Sequence, residues 1–141
     1  MKKLQIITIL LFFMFSACIS SKSGSKNNTK NWLKGTWKGI GYQTDGQEWE
    51  TTVDAKNLKN IKVSYASLLC SGNWKITSQT PNQLILQETI KTGVDKCDQN
   101  VKIIIDKTDN PNTIKVSYFL PNQEEKIATA DLQKKHSDLK P

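Results

Sequence analysis

Few side chains in this 141-residue sequence have the type and spacing that enzymatic chemistry needs. The single histidine, His136, lies in a polar C-terminal segment, which would have to fold back to complete a catalytic unit with serine or cysteine. Asp95 and Asp98 flank Cys97, but the sequence does not group them with the His, Cys or carboxylate ligands of a metal site. We therefore expect no catalytic residue, no metal site and no cofactor, and we predict that the protein is not an enzyme.

Glu88 is the acidic residue whose position predicts a buried carboxyl group, because it lies between two apolar residues of an alternating segment. A buried carboxylate is costly unless it is paired or hydrogen-bonded. It therefore either lines a pocket or accepts hydrogen bonds, and the candidate donors are Tyr65, Ser67, Gln43 and backbone amides near Cys70. A glycosidase would need a second, opposed carboxylate, and no other inward position supplies one.

Tryptophan is frequent for a chain of this size, and three of the four tryptophans fall on predicted inward faces. These three either pack in the core or form a wall on which a ligand stacks. Gly39 and Gly41 alternate with Trp37, so their missing side chains either let large rings cross the interior or leave a cavity. The predicted ligand pocket or buried polar network consists of Trp37, Gln43, Trp49, Tyr65, Ser67, Trp74 and Glu88.

The elements that must position these residues are β-strands, because apolar residues recur at every second position from Thr36 onward. Turn signals such as Thr-Asp-Gly at 44–46 and Thr-Pro-Asn at 80–82 separate the segments, and no segment has the pattern of an amphipathic helix. The eight predicted strands are 36–43, 49–56, 60–65, 73–79, 83–90, 100–106, 113–120 and 126–132. Their predicted inward residues are Trp37, Gly39, Gly41, Gln43, Trp49, Thr51, Val53, Ala55, Ile61, Val63, Tyr65, Trp74, Ile76, Leu84, Leu86, Glu88, Ile90, Val101, Ile103, Ile105, Ile114, Val116, Tyr118, Ala128, Ala130 and Leu132.

Short strands at regular spacing, joined by tight turns, predict an all-β fold built as an antiparallel eight-stranded meander. Such a meander can close into a small, round or flattened barrel, which removes its exposed edges, and a two-sheet sandwich is the alternative. The interior of an eight-stranded barrel is either just filled by side chains or able to hold one small ligand. We predict this domain over residues 31–133, followed by a polar C-terminal tail over 134–141.

Cys70 and Cys97 are the only two cysteines of the predicted domain, and both are expected in loops. In an oxidising compartment, such a pair favours a disulfide. Closing a loop of about 28 residues would stabilise the fold by roughly 3.5 kcal/mol in the chain-entropy treatment. A redox-active pair would need closely spaced cysteines, which this sequence lacks.

The N-terminal residues have the pattern of an exported protein. Two lysines precede an apolar run over 4–15, which is too short for a transmembrane helix and fits a signal peptide. Phe-Ser-Ala-Cys at 15–18 resembles the lipobox of bacterial lipoproteins, although Phe15 replaces the usual leucine. The resemblance implies cleavage after residue 17 and acylation of Cys18, and two or three acyl chains hold a protein stably on a bilayer. An ordinary signal peptide with a chance cysteine is the alternative.

Residues 18–30 are predicted to be a lipidated flexible tether, because 20–30 contain neither apolar nor acidic residues. The lysines there either keep the tether soluble or bind anionic headgroups. Ile19 follows Cys18 where an aspartate would signal inner-membrane retention, so the lipoprotein pattern favours the outer membrane of a Gram-negative cell. The predicted location is the cell envelope, with the lipid bilayer as a partner through acylated Cys18, on the periplasmic or surface face.

The net charge is +7, and all of the basic residues that outnumber the acids are lysines, since the sequence contains no arginine. Nucleic-acid readers rely on arginine for bidentate base contacts and for insertion into the minor groove. The lysines are also spread along the chain rather than clustered. We therefore expect no nucleic-acid partner.

Short motifs in the predicted domain resemble known β-barrel families. Gly35-Thr36-Trp37 is similar to the Gly-x-Trp that opens lipocalins and fatty-acid-binding proteins, where the tryptophan plugs the closed end of the barrel. Small periplasmic lysozyme-inhibitor lipoproteins are similar in architecture only, because Ser-Gly-Asn-Trp at 71–74 departs from their Ser-Gly-x-x-Tyr signature.

A longer series of motifs resembles a secreted bacterial domain that also occurs in other envelope proteins. Its pattern runs Trp-x-Gly-x-x-x-Gln, Tyr-x-Ser-Leu-x-Cys-x-Gly, Glu-x-Ile-x-x-Gly-x-x-x-Cys and Ala-x-Ala-x-Leu. The matching residues are Trp37, Gly39, Gln43, Tyr65, Ser67, Leu68, Cys70, Gly72, Glu88, Ile90, Gly93, Cys97, Ala128, Ala130 and Leu132. Ala66 stands where that domain has proline. The resemblance implies the fold and a Cys70–Cys97 bridge, and it implies no activity.

The predicted function is that of a lipid-anchored envelope lipoprotein carrying a non-enzymatic, lipocalin-like binding module for a small apolar ligand. The alternative is a protein-interaction or enzyme-inhibitor module that binds an envelope protein through its loops. A lined cavity would favour the first function and exposed apolar loop tips the second. The predicted loops are polar, which argues against a large hydrophobic interface.

Overall fold

The computed structural model describes residues 30–138, which form eight strands and three short 3-10 helices. The predicted signal peptide, the acylation site Cys18 and the predicted tether up to residue 29 lie outside the described residues, as do residues 139–141. No helix within 30–138 is long and apolar enough to cross a membrane. The strands are β1 Thr36–Gln43, β2 Glu48–Asp54, β3 Ile61–Tyr65, β4 Cys70–Gln79, β5 Gln83–Thr92, β6 Lys102–Lys107, β7 Thr113–Phe119 and β8 Lys126–Lys134. The 3-10 helices are η1 Asn31–Leu33, η2 Ala66–Leu68 and η3 His136–Asp138.

The strands form a closed antiparallel barrel in which each strand pairs with the next and β8 pairs back with β1. The closing seam runs in register from Trp37 opposite Lys134 to Gln43 opposite Ala128. Every strand therefore has two hydrogen-bonded neighbours, so the barrel has no free edge on which another chain could pair. This confirms the predicted all-β eight-stranded meander and selects the barrel over the sandwich.

The core lies inside the barrel, where alternate residues of each strand meet. On β5, for example, Leu84, Leu86, Glu88 and Ile90 are buried, while Gln87 and Thr89 between them are exposed. This alternation follows from the pleat, which turns successive side chains to opposite faces. The inward faces predicted from the sequence are those observed on all eight strands.

Strand β4 begins at Cys70, three residues before its predicted start. Cys70 pairs with Tyr65 of β3, and the pairing continues through Ser71 and Gly72. The small and polar residues of this segment have low strand propensity, so only the register of the neighbouring strand holds them in the sheet. We had expected both cysteines in loops. Cys70 instead begins strand β4, whereas Cys97 does lie in the connection between β5 and β6.

The two ends of the barrel differ. At one end, which we call the closed end, Trp37 and Leu33 are fully buried, and Trp37 Nε1 donates a 2.7 Å hydrogen bond to the Leu33 carbonyl. Helix η1 precedes β1 at this end. The connections β1–β2, β3–β4, β5–β6 and β7–β8 meet at the opposite end, which we call the mouth.

Candidate functional site

A cavity of about 560 Å³ opens at the mouth. Its volume lies within the range of small-molecule sites, which runs from roughly 300 to 1,000 Å³. Its walls combine inward strand residues with the long connection between β5 and β6. The lining residues are Gln43, Gln47, Trp49, Tyr65, Leu68, Glu88, Val94, Asp95, Lys96, Cys97, Asp98, Gln99, Val101, Tyr118, Ile127 and Ala128.

Glu88 is the centre of a buried polar network beside this cavity. Its side chain is 3% exposed, and its Oε2 atom accepts hydrogen bonds from Tyr65 Oη at 2.5 Å and from Trp74 Nε1 at 2.7 Å. Trp74 lies directly opposite Glu88 in the pairing of β4 with β5, and Tyr65 is the last residue of neighbouring β3. The sheet pairing therefore brings Trp74 and Glu88 together as cross-strand neighbours, whereas Tyr65 lies opposite Cys70 and reaches Glu88 through its long side chain.

The environment of Glu88 raises the pKa of its carboxyl group above the ordinary value. Burial is the largest cause, because it penalises the charged form. The hydrogen bonds from Tyr65 and Trp74 lower the pKa in part, since they favour the carboxylate, and the negative charge of Asp98 raises it. Glu88 consequently holds a proton to higher pH than a surface glutamate does.

Two of the predicted hydrogen-bond donors to Glu88 were wrong. Ser67 is exposed, and its Oγ accepts a 3.0 Å hydrogen bond from the backbone amide of Glu50 instead. The alternation of inward and outward positions ends at Tyr65, because the chain leaves β3 there and turns through η2. Gln43 lines the cavity but forms no hydrogen bond with Glu88.

The other predicted site residues are divided between two places. Trp37 lies at the closed end and takes no part in the lining of the cavity. Trp49 lines the cavity, whereas Trp74 supports Glu88 from beside it. The structure thus brings together Trp49, Tyr65, Trp74, Glu88 and, at the edge, Gln43.

Trp49 and Tyr118 form the aromatic wall of the cavity, with ring centroids 5.9 Å apart and planes at 73°. Gly41 of β1 lies opposite Trp49, and Ala128 of β8 lies opposite Tyr118. A Cβ atom on Gly41 would overlap the Trp49 indole, so the glycine is what allows the ring to cross the interior. We had expected Gly39 and Gly41 either to let large rings cross the interior or to leave a cavity, and Gly41 has the first of these roles.

Three buried polar atoms in this part of the interior have no hydrogen-bond partner: Trp49 Nε1, Thr51 Oγ1 and Tyr118 Oη. Burial raises the pKa of Tyr118, and the nearby hydroxyl groups of Thr51 and Tyr65 lower it in part, but neither of them meets hydrogen-bond geometry with Tyr118. A buried polar group without a partner costs about 1–3 kcal/mol, so native proteins contain few of them. Trp49 and Tyr118 both line the cavity, where a ligand or ordered water could complete their hydrogen bonds.

The rim of the mouth is held by the Cys70–Cys97 disulfide, which confirms the predicted pairing and joins the start of β4 to the β5–β6 connection. The Gln99 side chain also bonds both backbone groups of Ile90, at 3.1 Å from the amide and 3.3 Å from the carbonyl. Leu69 and Val94 project from this rim with 76% and 58% of their surface exposed. The prediction that the loops are polar is therefore wrong at these two positions.

Tyr118, Thr51 and the segment 94–99 were missed as site residues in the sequence. Tyr118 and Thr51 were both predicted to face inward, and that was the available signal for these two residues. No local pattern shows that β7 and β2 lie on either side of β1 and β8 in the closed barrel. Among residues 30–138, no group of three or more His, Cys, Asp or Glu side chains is placed to hold a metal ion.

The chain matches no model of a known protein family, and no curated protein matches it. Among solved structures, it is similar to that of EF1p2_mFAP2b bound to DFHBI. The two are 20% identical with a TM-score of 0.51, and the match covers 79% of this chain and 100% of the other. At this identity the likeness concerns the fold alone. The protein is thus a small antiparallel β-barrel with a ligand-sized cavity at one end.

Proposed function

We propose that this protein is a non-enzymatic binding module, lipocalin-like in its architecture, that takes a small ligand into the mouth cavity. The observation that carries the proposal is the cavity of about 560 Å³ in whose wall Trp49 Nε1 and Tyr118 Oη are buried without a partner. A ligand that fills the space and completes the hydrogen bonds accounts for both.

The similar solved structure supports this proposal at the level of architecture. EF1p2_mFAP2b has DFHBI bound to it, so a chain with this fold is able to bind a small molecule. The Cys70–Cys97 bridge and the Gln99 contacts with Ile90 further support a preformed site, because they fix the rim before any ligand arrives. Such preorganisation lowers the entropic cost of binding.

We also propose that the protein is anchored in the cell envelope through acyl chains on Cys18, and that in a Gram-negative cell the membrane concerned is the outer one. The barrel geometry suits such an anchor. Residue 30 leads into η1 at the closed end, so a lipid attached upstream joins the barrel at the end opposite the mouth. The chain that leads from the anchor therefore does not enter the barrel at the mouth.

Mass spectrometry of material co-purified with the full chain tests the proposed function. The full chain is purified from a bacterial envelope in native form, and its small molecules are extracted and quantified against protein. The blocking variant Ala128→Phe fills the cavity from β8, and Ser117→Phe places the same ring on the outer face of β7 as a matched control. We expect one compound in near-stoichiometric amount with the unaltered chain and Ser117→Phe, and its loss with Ala128→Phe. Equal amounts in all three proteins, or no compound in any, would contradict the proposal.

A second candidate function is protein interaction at the rim, and the exposure of Leu69 and Val94 favours it. Two large apolar side chains on the same rim could anchor a partner protein next to the cavity. Replacing both with serine tests this. If the rim binds a protein partner, crosslinking to that partner in intact cells is lost in the double variant while small-ligand content is unchanged.

A further inference from the structure

Building on the proposed function, we infer the chemical class of the ligand. The geometry points to an uncharged molecule with a flat apolar body and a buried polar end that both accepts and donates hydrogen bonds, such as an amide, a lactam or a hydroxyl group. Three features of the cavity lead to this class: its unpartnered donors, the free face of its carboxyl group and the sign of its charges.

The unpartnered donors require an acceptor on the ligand. Trp49 Nε1 carries a hydrogen that can only be donated, and Tyr118 Oη carries a second one. Both side chains line the cavity and are more than nine-tenths buried, at 7% and 4% exposure. A carbonyl or hydroxyl oxygen on the ligand could accept from both of these donors, which a hydrocarbon cannot do.

The carboxyl group of Glu88 favours a donor on the ligand. Both of its hydrogen bonds, from Tyr65 and from Trp74, end on Oε2. Among residues 30–138, no hydrogen bond is formed with Oε1, although Glu88 lines the cavity. An N–H or O–H group on the ligand would donate to this oxygen when Glu88 is ionised, and a ligand acceptor would receive its hydrogen when Glu88 is protonated.

The charges around the cavity disfavour an anion. Glu88, Asp95 and Asp98 all line it, and the only lysine in the lining, Lys96, is 3.1 Å from the Asp95 carboxylate. Solvent screens the exposed Asp95 and Asp98 side chains, but a ligand carboxylate beside buried Glu88 would lose its hydration and would meet a like charge whenever Glu88 is ionised. A cation would interact well with these acids but would leave the Trp49 N–H without an acceptor.

The apolar body is matched by the remaining wall. The Trp49 and Tyr118 rings offer an edge-to-face corner, with Val101, Ile127 and Ala128 beside them. A flat ring system can contact such a corner on its face and edge, an arrangement that aromatic pairs favour.

Three probes with one ring system separate the alternatives: 2-naphthamide, 2-naphthoate and 2-naphthylmethylammonium. Binding is measured by equilibrium dialysis of the full chain in phospholipid nanodiscs, with empty nanodiscs to subtract partition into lipid. We expect 2-naphthamide to bind at least about tenfold more tightly than either ion, which corresponds to a difference of about 1.4 kcal/mol. Failure of all three probes would contradict the proposed function itself. Equal or tighter binding of an ion would overturn the ligand class and leave the proposed function standing.

Conservative variants test the assigned contacts. Trp49→Phe and Tyr118→Phe each keep an aromatic ring and remove one donor. Each should therefore weaken the binding of 2-naphthamide about three- to tenfold, which is the range of one hydrogen bond. Trp32→Phe is the matched control, because Trp32 Nε1 is also buried without a partner but does not line the cavity. We expect Trp32→Phe to bind as the unaltered chain does. Equal weakening in all three variants, or in none, would overturn the assignment of Trp49 and Tyr118 as ligand donors.

Discussion

Trp74 and Glu88 lie directly opposite one another on β4 and β5, and the Trp74 indole donates a 2.7 Å hydrogen bond to the Glu88 carboxyl. This pair places a carboxyl group in the interior of a barrel that is otherwise almost wholly apolar. Tyr65 donates to the same oxygen from β3, so three neighbouring strands are linked by side chains as well as by their backbones. Glu88 also lines the cavity, and neither of these hydrogen bonds uses its other oxygen.

Replacing Glu88 should destabilise the barrel, because its two donors would lose their acceptor. Glu88→Leu leaves the Tyr65 hydroxyl and the Trp74 N–H buried without a partner, and we expect a loss of about 2–4 kcal/mol in the free energy of unfolding. Glu88→Gln keeps a carbonyl oxygen and should lose only about 1 kcal/mol. Equilibrium urea unfolding measures both, with exposed Glu48→Gln on β2 as the control. Unchanged stability in Glu88→Leu would show that the network does not support the fold.

The raised pKa of Glu88 predicts how stability changes with pH. A carboxyl group whose pKa is higher in the folded than in the unfolded state binds a proton more tightly when folded. Its contribution is therefore fully present below the unfolded value, near 4.5, and is lost as the pH rises through the folded value. We expect the unfolding free energy of the unaltered chain, relative to Glu88→Gln, to fall as the pH rises above the unfolded value. A relative stability that rises with pH above this value would contradict the inferred direction.

The alternation of apolar residues allowed the inward faces to be predicted, because the two-residue period of a strand is a local property. It correctly placed Trp37 and Trp49 on inward faces, but it did not indicate that the two residues lie at opposite ends of the barrel. Depth along the barrel depends on the stagger of neighbouring strands, which is set by pairings between distant segments.

The composition of the site could be predicted only in part for the same reason. Trp74 and Glu88 meet because they pair directly on consecutive strands, whereas Tyr65 lies opposite Cys70 and reaches Glu88 only through its side chain. Tyr118 meets Trp49 only because β8 closes onto β1, a contact between the two ends of the domain that no local signal encodes. Ser67 was misplaced because a 3-10 turn breaks the alternation just after Tyr65.

The Cys70–Cys97 disulfide should stabilise the fold and hold the rim of the mouth. Replacing both cysteines with serine is expected to lower the free energy of unfolding by roughly 3.5 kcal/mol, the chain-entropy value for a loop of this length. Labelling of the native protein with a thiol reagent should detect no free thiol at either position. Two reactive thiols in protein purified from an oxidising compartment would show that the bridge does not form there.

Lipid anchoring depends on a single side chain, so one substitution tests it. Cys18→Ser removes the thiolate that would receive the lipid, and we expect the variant to be unprocessed or to lose its acyl chains. Detergent phase partitioning and the intact mass of the processed chain both report the change. Ser16→Ala, next to the expected cleavage site, keeps a small residue and serves as the control. If Cys18→Ser partitions and is processed like the unaltered chain, the protein is not a lipoprotein of this kind.

Tyr65 and Tyr118 both lie in the barrel interior, but removal of their hydroxyl groups should have opposite effects on stability. Tyr65→Phe deletes a 2.5 Å hydrogen bond to buried Glu88 and should lower the free energy of unfolding by about 1–3 kcal/mol. Tyr118→Phe deletes a hydroxyl that has no partner, so it should leave stability unchanged or raise it by up to about 1 kcal/mol in protein free of ligand. Because the chemical change is the same in both variants, differences in ring packing or in the unfolded chain largely cancel. Adding 2-naphthamide should then make the unaltered chain more stable than Tyr118→Phe, since the unaltered chain would gain more stability from the ligand than the variant does. Destabilisation of Tyr118→Phe in the absence of any ligand would mean that its hydroxyl already has a partner, and the cavity would lose one of its two free donors.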